Sequence, residues 1–443
     1  MLVCFLILHF DWHMADVIYD AIVIGGGPGG SSTASFLARA GKRVLVLEKE
    51  HFPRFHIGES LLPYNRRFFA DMGVLETLEK EGFPLKTGRN GRYTREATAF
   101  QVERSRFDHL LLQHAEKSGA EVREGITVTR FENTAPDAVT VETRDDAGRA
   151  QIVRARFLID ASGRGNLTGN QQGIRVVHPH LKKLSLFGHF TGVKLDDGRA
   201  SGDTIIVRLE NKWFWIIPLA MEKVSVGCVM DQAEFAAMKQ TPEQVFNGIV
   251  QSSAVMRERM KDARLLNTIQ ATSDFSYRNK RFVDHRLIRV GDAAGFMDPI
   301  FSAGVHLAMY SGKLAAKAVI ESLAAGDDGA KRFRKYERRV TRAMQLYWEM
   351  VEGFYTTPFI EVFFEPRNKF NLPSAVTALL AGELEGGWKV YWRMRLFFLI
   401  VKIHSRWPIL PNICFEDKPA ESRAPQFVHP SSDPMMEQTV KQL

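Results

Sequence analysis

Residues 18–24 are apolar except for Asp20, the pattern of a strand buried on both faces of a parallel sheet. Six residues follow at once: Gly25-Gly26-Gly27-Pro28-Gly29-Gly30. Small residues over 31–40 predict a helix, and a second apolar strand over 42–47 ends at Glu48. Together they make a βαβ unit with the glycines in its first turn. Two more short apolar strands, 157–160 and 287–290, run into Ala161-Ser162-Gly163 and Gly291-Asp292-Ala293-Ala294-Gly295. Between them the period changes. Residues 127–154 alternate like a meander, and 184–229 hold several period-2 strands, including 203–208 and 211–217. Helices are predicted over 108–118 and 305–325. From about residue 333 the chain is helical and rich in aromatics, punctuated by Pro366, Pro373, Pro408 and Pro411.

The glycine turn has a specific chemistry. Gly25 permits the tight turn, Gly27 lets a pyrophosphate approach the backbone, and Gly30 lets helix and strand close together. The helix start offers free N–H groups to a phosphate. Glu48, about 20 residues on, stands where an acid accepts ribose hydroxyls. Gly291-Asp292, between a strand and a helix, supplies an acceptor for the hydroxyls of a ribityl chain. Asp160 ends the strand that leads to Ala161-Ser162-Gly163. Alone, each could be an ordinary turn; in this order they point to FAD in a Rossmann-like GxGxxG domain.

Composition narrows the class without naming a reaction. The 443 residues are 45% hydrophobic and 25% charged, which excludes a disordered or fibrous chain. Lys+Arg 59 less Asp+Glu 51 leaves +8, enough to favour an anionic partner without requiring nucleic acid. Cys4, Cys228 and Cys414 are odd in number and far apart, so they form neither a metal-ligand pair nor a disulfide framework. A reducing, cytoplasmic setting is expected. No apolar run reaches the ~18 residues of a membrane span. The apolar stretch before Asp11 lacks the flanks of a signal peptide, and Met14 precedes the first strand, so residues 1–13 are expected to be a non-native extension.

Further motifs carry a resemblance. Trp213-Phe214-Trp215-Ile216-Ile217-Pro218 matches WxWxIP, and residues 296–304 match FxxPxxSxG through Phe296, Pro299, Ser302 and Gly304. Phe55-His56-Ile57-Gly58-Glu59-Ser60-Leu61-Leu62-Pro63 is similar to a strap that follows the second strand. Lys86 lies in Phe83-Pro84-Leu85-Lys86-Thr87-Gly88. From about Tyr19 to Glu385, the chain resembles the flavin-dependent halogenases, especially those acting on phenols and pyrroles.

The resemblance implies FAD, used as FADH2, with oxygen and chloride or bromide forming hypohalous acid. Lys86 is then the catalytic amine that places the halogen on a ring carbon, and partial burial would lower its pKa. Glu59 orients the lysine or the oxidant. Ser302, Ala303 and Gly304 form a halide site at a helix start, where main-chain N–H groups suit an anion. Trp213, Trp215 and Pro299 shield the flavin from the organic substrate. Arg106 either contacts the cofactor or is a helix-flanking charge. Two departures are informative. Phe301 stands where the tryptophan-halogenating branch carries Glu, which suggests an electron-rich phenol or pyrrole. Ala303 replaces the hydroxyl found in many relatives.

The expected fold class is α/β. A discontinuous FAD-binding domain (14–90, 105–165, 270–340) is interleaved with a β-sheet substrate domain (91–104, 166–269). A helical region, 341–415, covers the substrate site, and 416–443 is a disordered tail. No second dinucleotide fingerprint exists, so a separate flavin reductase would supply FADH2. The substrate is an aromatic small molecule of natural-product biosynthesis, free or tethered to an acyl or peptidyl carrier protein. The basic run 331–339 is either a solvated face or a dock for that carrier. Residues 388–407 either cover the substrate site or lie on a membrane surface. A flavin monooxygenase or a geranylgeranyl-reductase-like enzyme shares the glycine turn but needs no Lys86, and a non-catalytic flavin protein would not preserve the tunnel residues.

Overall fold

The structure, a computed structural model, describes residues 18–87, 96–273, 276–364, 369–384 and 387–411. The expected extension at 1–13 and tail at 416–443 lie outside the described residues. The strand Ile18–Ile24 runs parallel between Val44–Leu47 and Ala150–Asp160. Glu121–Arg123 and Leu287–Arg289 extend the parallel set on either side. The meander is part of this same sheet: Val139–Asp145 pairs antiparallel with both Ile126–Glu132 and Ala150–Asp160.

Side chains alternate across the sheet as its pleat requires. Ala21, Val23, Val44, Val46, Phe157 and Ile159 share one core with the helices Pro28–Arg39, Arg104–Lys117 and Ala303–Ala325. Ile22, Leu45 and Leu158 face the other way, against Val128, Phe131 and Val141. Both faces are covered, which explains the near-continuous apolar runs of these strands.

A second sheet is antiparallel, in the order Ile205–Arg208, Trp213–Ala220, Lys223–Asp231, Lys183–Thr191, with Arg264–Leu265 and Gln270–Ser273 both on the last. Trp213, Trp215 and Ile217 turn toward the core of the first sheet. Phe214, Ile216 and Cys228 turn away, onto a separate core with the helix Pro242–Ser252. A two-stranded ladder, Leu85–Thr87 with Thr98–Phe100, lies beside this sheet. Among the described residues, four α-helices follow: Ala330–Phe354, Thr357–Phe364, Leu372–Leu380 and Gly387–Arg406. The last packs on the two before it. None of its described residues lines the large cavity below, which only Val340 and Met344 reach from this helical region.

Candidate active site

The glycine turn opens a cavity of about 620 Å³. Gly25 has φ +99°, a conformation L side chains rarely adopt, and a Cβ there would lie 2.5 Å from the Ala161 carbonyl oxygen. A Cβ on Gly30 would fall 1.8 Å from the Gly25 oxygen, so these two glycines are demanded by backbone closeness. Gly27 differs. Its nearest neighbour would be the Arg54 guanidinium at 3.5 Å, and its backbone faces the cavity. Pro28 occupies the first turn of the helix Pro28–Arg39, which no side chain caps, so its N–H groups remain available. Glu48 lines the cavity while its carboxylate accepts the N–H of Gly26 at 2.6 Å and of Glu50 at 2.9 Å.

Arg54, Arg104 and Arg164 add positive charge to the cavity wall. Arg104 is fixed by two bonds to the buried Asp108, at 2.7 and 2.9 Å. Farther along, Gly291 (φ +59°) and Asp292 line the wall. The Asp292 carboxylate meets no hydrogen-bond donor among the described residues, and burial pushes its pKa up to about 6 against the pull of Arg164 and Arg104. An open glycine backbone, an uncapped helix start, three arginines and one unsatisfied acid suit a dinucleotide with a polyol chain, so the residues fit FAD.

The far end of the cavity is aromatic. Trp213 and Trp215 are both buried, with ring centroids 5.8 Å apart. Trp213 donates from Nε1 to the Tyr355 hydroxyl at 2.9 Å, and Tyr355 donates to Asp298 Oδ2 at 2.6 Å. Asp298 also accepts from the Ile300 N–H, yet burial raises its pKa to about 6. Trp215 lies directly over Gly227, where a Cβ would come within 2.1 Å of the indole. Pro299 lines the cavity beside them. Ser302 has φ +53° and its hydroxyl does not cap the helix Ala303–Ala325 that it precedes. At Gly304 a Cβ would have no neighbour closer than 3.9 Å. The segment from Ser302 to Gly304 therefore presents backbone to the cavity at the start of a 23-residue helix, a setting suited to a small anion.

Lys86 sits one hydrogen bond behind the cavity wall. Its Nζ donates to Ser60 Oγ at 2.7 Å, and Ser60 lines the cavity with Thr204, to which it is bonded at 3.0 Å. The two-stranded ladder and the bridge from Ser60 to Gln101 hold this geometry. Lys86 is half-buried, its ammonium is bonded to Ser60, and desolvation lowers its pKa to about 8 while Asp203 opposes the fall. Glu59 also lines the cavity, but it is paired with His189 at 2.7 Å and does not contact Lys86 through any described hydrogen bond. Its Oε2 is buried with no hydrogen-bond partner.

Most of the residues singled out from the sequence converge on one cavity: Gly25, Gly27, Glu48, Glu59, Gly291, Asp292, Pro299, Trp213, Trp215, Ser302, Ala303 and Gly304. Gly30 supports it from behind, and Lys86 adjoins it. Two do not reach it. Arg106 turns outward, pairs with Glu81 at 2.6 Å and lies over the Phe83 ring. Arg104, two residues earlier, takes the cavity position, because the first turn of Arg104–Lys117 aims that residue inward. Asp160 is fully buried and spends its carboxylate on the Ser162 and Thr168 N–H groups, so it fastens the start of Leu167–Gln171 instead of facing the cavity. Sequence reasoning missed Arg54, Ser60, Arg164, His189 and Tyr355. No motif marks Arg164, His189 or Tyr355, which arrive from separate elements. Ser60 lies within the strap and Arg54 immediately precedes it, so the strap was the one local signal for them.

The family model described as tryptophan halogenase matches residues 20–94 and 89–382. A 1H-pyrrole-2-carbonyl peptidyl-carrier-protein chlorinase of Pseudomonas fluorescens is 29% identical over 413 residues, covering 84% of this chain and 91% of that protein. The corresponding brominase of Pseudoalteromonas luteoviolacea is 31% identical over 389 residues, covering 84% and 94%. The solved structure of a flavin-dependent brominase superposes with a TM-score of 0.78 at 30% identity, covering 88% of this chain and 100% of that one.

Proposed function

The chain belongs to the tryptophan halogenase family, and on that footing we propose that this FAD- and halide-using enzyme halogenates an electron-rich aromatic ring by way of Lys86. When bound in its reduced form, FAD supplies, with oxygen, the two-electron oxidation that takes chloride or bromide to the level of hypohalous acid. Gly27, the N–H groups of Pro28–Arg39 and the cavity arginines hold the diphosphate. Asp292 accepts the polyol hydroxyls. The N–H groups of Ala303 and Gly304 hold the halide beside Ser302, whose own N–H donates to the Pro299 carbonyl at 2.8 Å. Trp213, Trp215 and Pro299 keep the organic ring away from the cofactor. Glu59 Oε2, which has no donor of its own, accepts the O–H of the oxidant.

Lys86 then directs the halogen to a ring carbon, either as an ammonium that donates to the hypohalous oxygen, which leaves as water while the ring carbon gives up its proton, or as an amine that exchanges N–H for N–halogen with loss of water and then trades the halogen for the ring proton. A pKa of about 8 leaves about a tenth of the side chain neutral at pH 7, so both forms are accessible. Phe301 offers no carboxylate to stabilise a cationic ring intermediate, which favours a pyrrole or phenol that stabilises its own. The pyrrole-carrier relatives extend this to a ring tethered on a carrier protein, with reduced FAD delivered by a separate reductase. The observation that carries the reading is the Lys86 ammonium, desolvated and bonded to the cavity-lining Ser60 instead of standing in solvent.

The test supplies FAD, a flavin reductase, NADH, oxygen and bromide, with pyrroles and phenols both free and carrier-bound. Brominated product is expected. Lys86→Ala should abolish it while NADH oxidation continues. Oxygenated or reduced product would assign the chain to other flavin chemistry, and full bromination by Lys86→Ala would overturn the relay.

A further inference from the structure

A second cleft, distinct from the FAD cavity, lies between the strand Tyr277–Asn279, the segment that follows it, and the helix Ala330–Phe354. It is strongly cationic. Arg278, Lys280, Arg281, Arg338, Arg342 and Arg395 line it, against two carboxylates, Glu337 and Glu349. Both carboxylates are already engaged: Glu337 accepts the Phe282 N–H, and Glu349 accepts two bonds from Arg395 at 2.7 Å and one from Gln345 at 3.4 Å. Arg281 pairs with Asp284 at 2.9 Å. Arg278, Lys280, Arg338 and Arg342 are exposed and meet no carboxylate among the described residues. Arg342 lies over the ring of Tyr391, itself half-exposed on the rim.

The placement adds to the charge. Arg338 and Arg342 stand on the outer side of the helix Ala330–Phe354, while Val340 and Met344 on its inner side line the FAD cavity. A partner seated in the cleft is one helix diameter, about 10 Å, from that cavity. Only part of the basic run 331–339 takes part. Arg342 follows it on the same helix, and the rest of the charge comes from Arg278, Lys280 and Arg281 before the run and Arg395 well after it, so the patch exists only in the folded chain.

We infer that this cleft is the docking surface for an acidic carrier protein presenting its tethered ring. The inference rests on the tethered-substrate reading above. Four cations that meet no carboxylate among the described residues, a half-exposed aromatic ring and a concave surface select a folded, acidic partner through charge complementarity. Val176, exposed at the cleft edge, adds an apolar contact that a protein surface can cover.

The test compares the FAD-loaded wild type with a triple variant, Arg278→Glu, Arg338→Glu and Arg342→Glu. The probes are pyrrole-2-carbonyl peptidyl-carrier protein, free pyrrole, and vesicles of phosphatidylglycerol. All three changes are exposed, and FAD binding serves as the control for folding. The expected result is loss of carrier binding and a rise of about tenfold or more in KM for the tethered ring, with free-pyrrole turnover unchanged. Raising salt should weaken wild-type binding as the charges are screened. Unchanged carrier binding in the variant, or none by the wild type, overturns the inference. So does a variant that loses only vesicle binding, which would assign the cleft to a membrane surface. Carrier binding lost in the variant, while the wild type halogenates only free rings, supports the cleft and refutes the tethered substrate.

Discussion

Replacing Lys86 by Met should raise stability and abolish function. An ordinary lysine titrates near 10.5 and Lys86 near about 8, a gap worth about 3 kcal/mol of uncompensated desolvation. The side chain keeps some contact with water, which reduces the figure to about 2 kcal/mol. Methionine has a similar length and buries no charge. The lost bond to Ser60 costs about 1 kcal/mol, so Lys86→Met should be more stable by about 1 kcal/mol at pH 7. The pH dependence has a definite sign. Below pH 8 the ammonium is charged in both folded and unfolded chains, and the full penalty applies. Between pH 8 and 10.5 the unfolded chain holds the extra proton, so the contribution of Lys86 to wild-type stability improves with rising pH. The variant lacks that contribution, and its advantage should shrink across this window. Urea unfolding at pH 7 and at pH 9.5, followed by tryptophan fluorescence, measures both effects, with a bromination assay alongside. A Met variant less stable at pH 7 by more than about 1 kcal/mol, or an advantage that does not shrink at high pH, would refute the claim that this ammonium is held against its own solvation.

Gly227→Ala should displace the Trp215 indole, because the new methyl would sit 2.1 Å from it. The expected cost is about 1–3 kcal/mol, with less brominated product for each NADH consumed, read by product analysis. Tyr355→Phe removes a donor from buried Asp298, a loss of about 1–3 kcal/mol at pH 7. Because the Asp298 pKa is already raised to about 6, the loss should shrink near pH 4, where the carboxyl is protonated, and chemical unfolding at the two pH values checks this. Arg106→Ala should leave FAD affinity unchanged, since that exposed pair with Glu81 is worth about 0–1 kcal/mol. Arg104→Ala should weaken FAD binding and destabilise the fold by about 1–3 kcal/mol, because buried Asp108 loses its two short bonds and keeps only Arg54 at 3.3 Å. Flavin-fluorescence titration separates the two.

The glycine turn was legible from the sequence because its steric requirements are local. A tight turn needs Gly25, and helix-to-strand closeness needs Gly30; both demands act within a dozen residues. The apolar runs of 18–24 and 42–47 likewise announced strands covered on both faces. Failures came where a side chain's direction mattered. Arg104 and Arg106 are two apart at a helix start, and a turn of 100° per residue sends one into the cavity and the other to Glu81. Asp160 had the position of a cofactor ligand, but local N–H groups claimed its carboxylate. Glu59 reached the cavity as expected, but one of its oxygens pairs with His189, 130 residues away, and not with Lys86.

Sequence alone determined that a Gly-rich βαβ unit, a pair of sheet tryptophans and a helix-start Ser-Ala-Gly occur in one chain, since periodicity and steric demand are written in neighbouring residues. Tertiary structure alone decided that Ser60 separates Lys86 from the cavity, that Tyr355 ties Trp213 to Asp298, and that cations from three separate stretches share one cleft. Desolvation and hydrogen bonding depend on what surrounds a group in space, and those surroundings are assembled by long-range packing that no local pattern encodes.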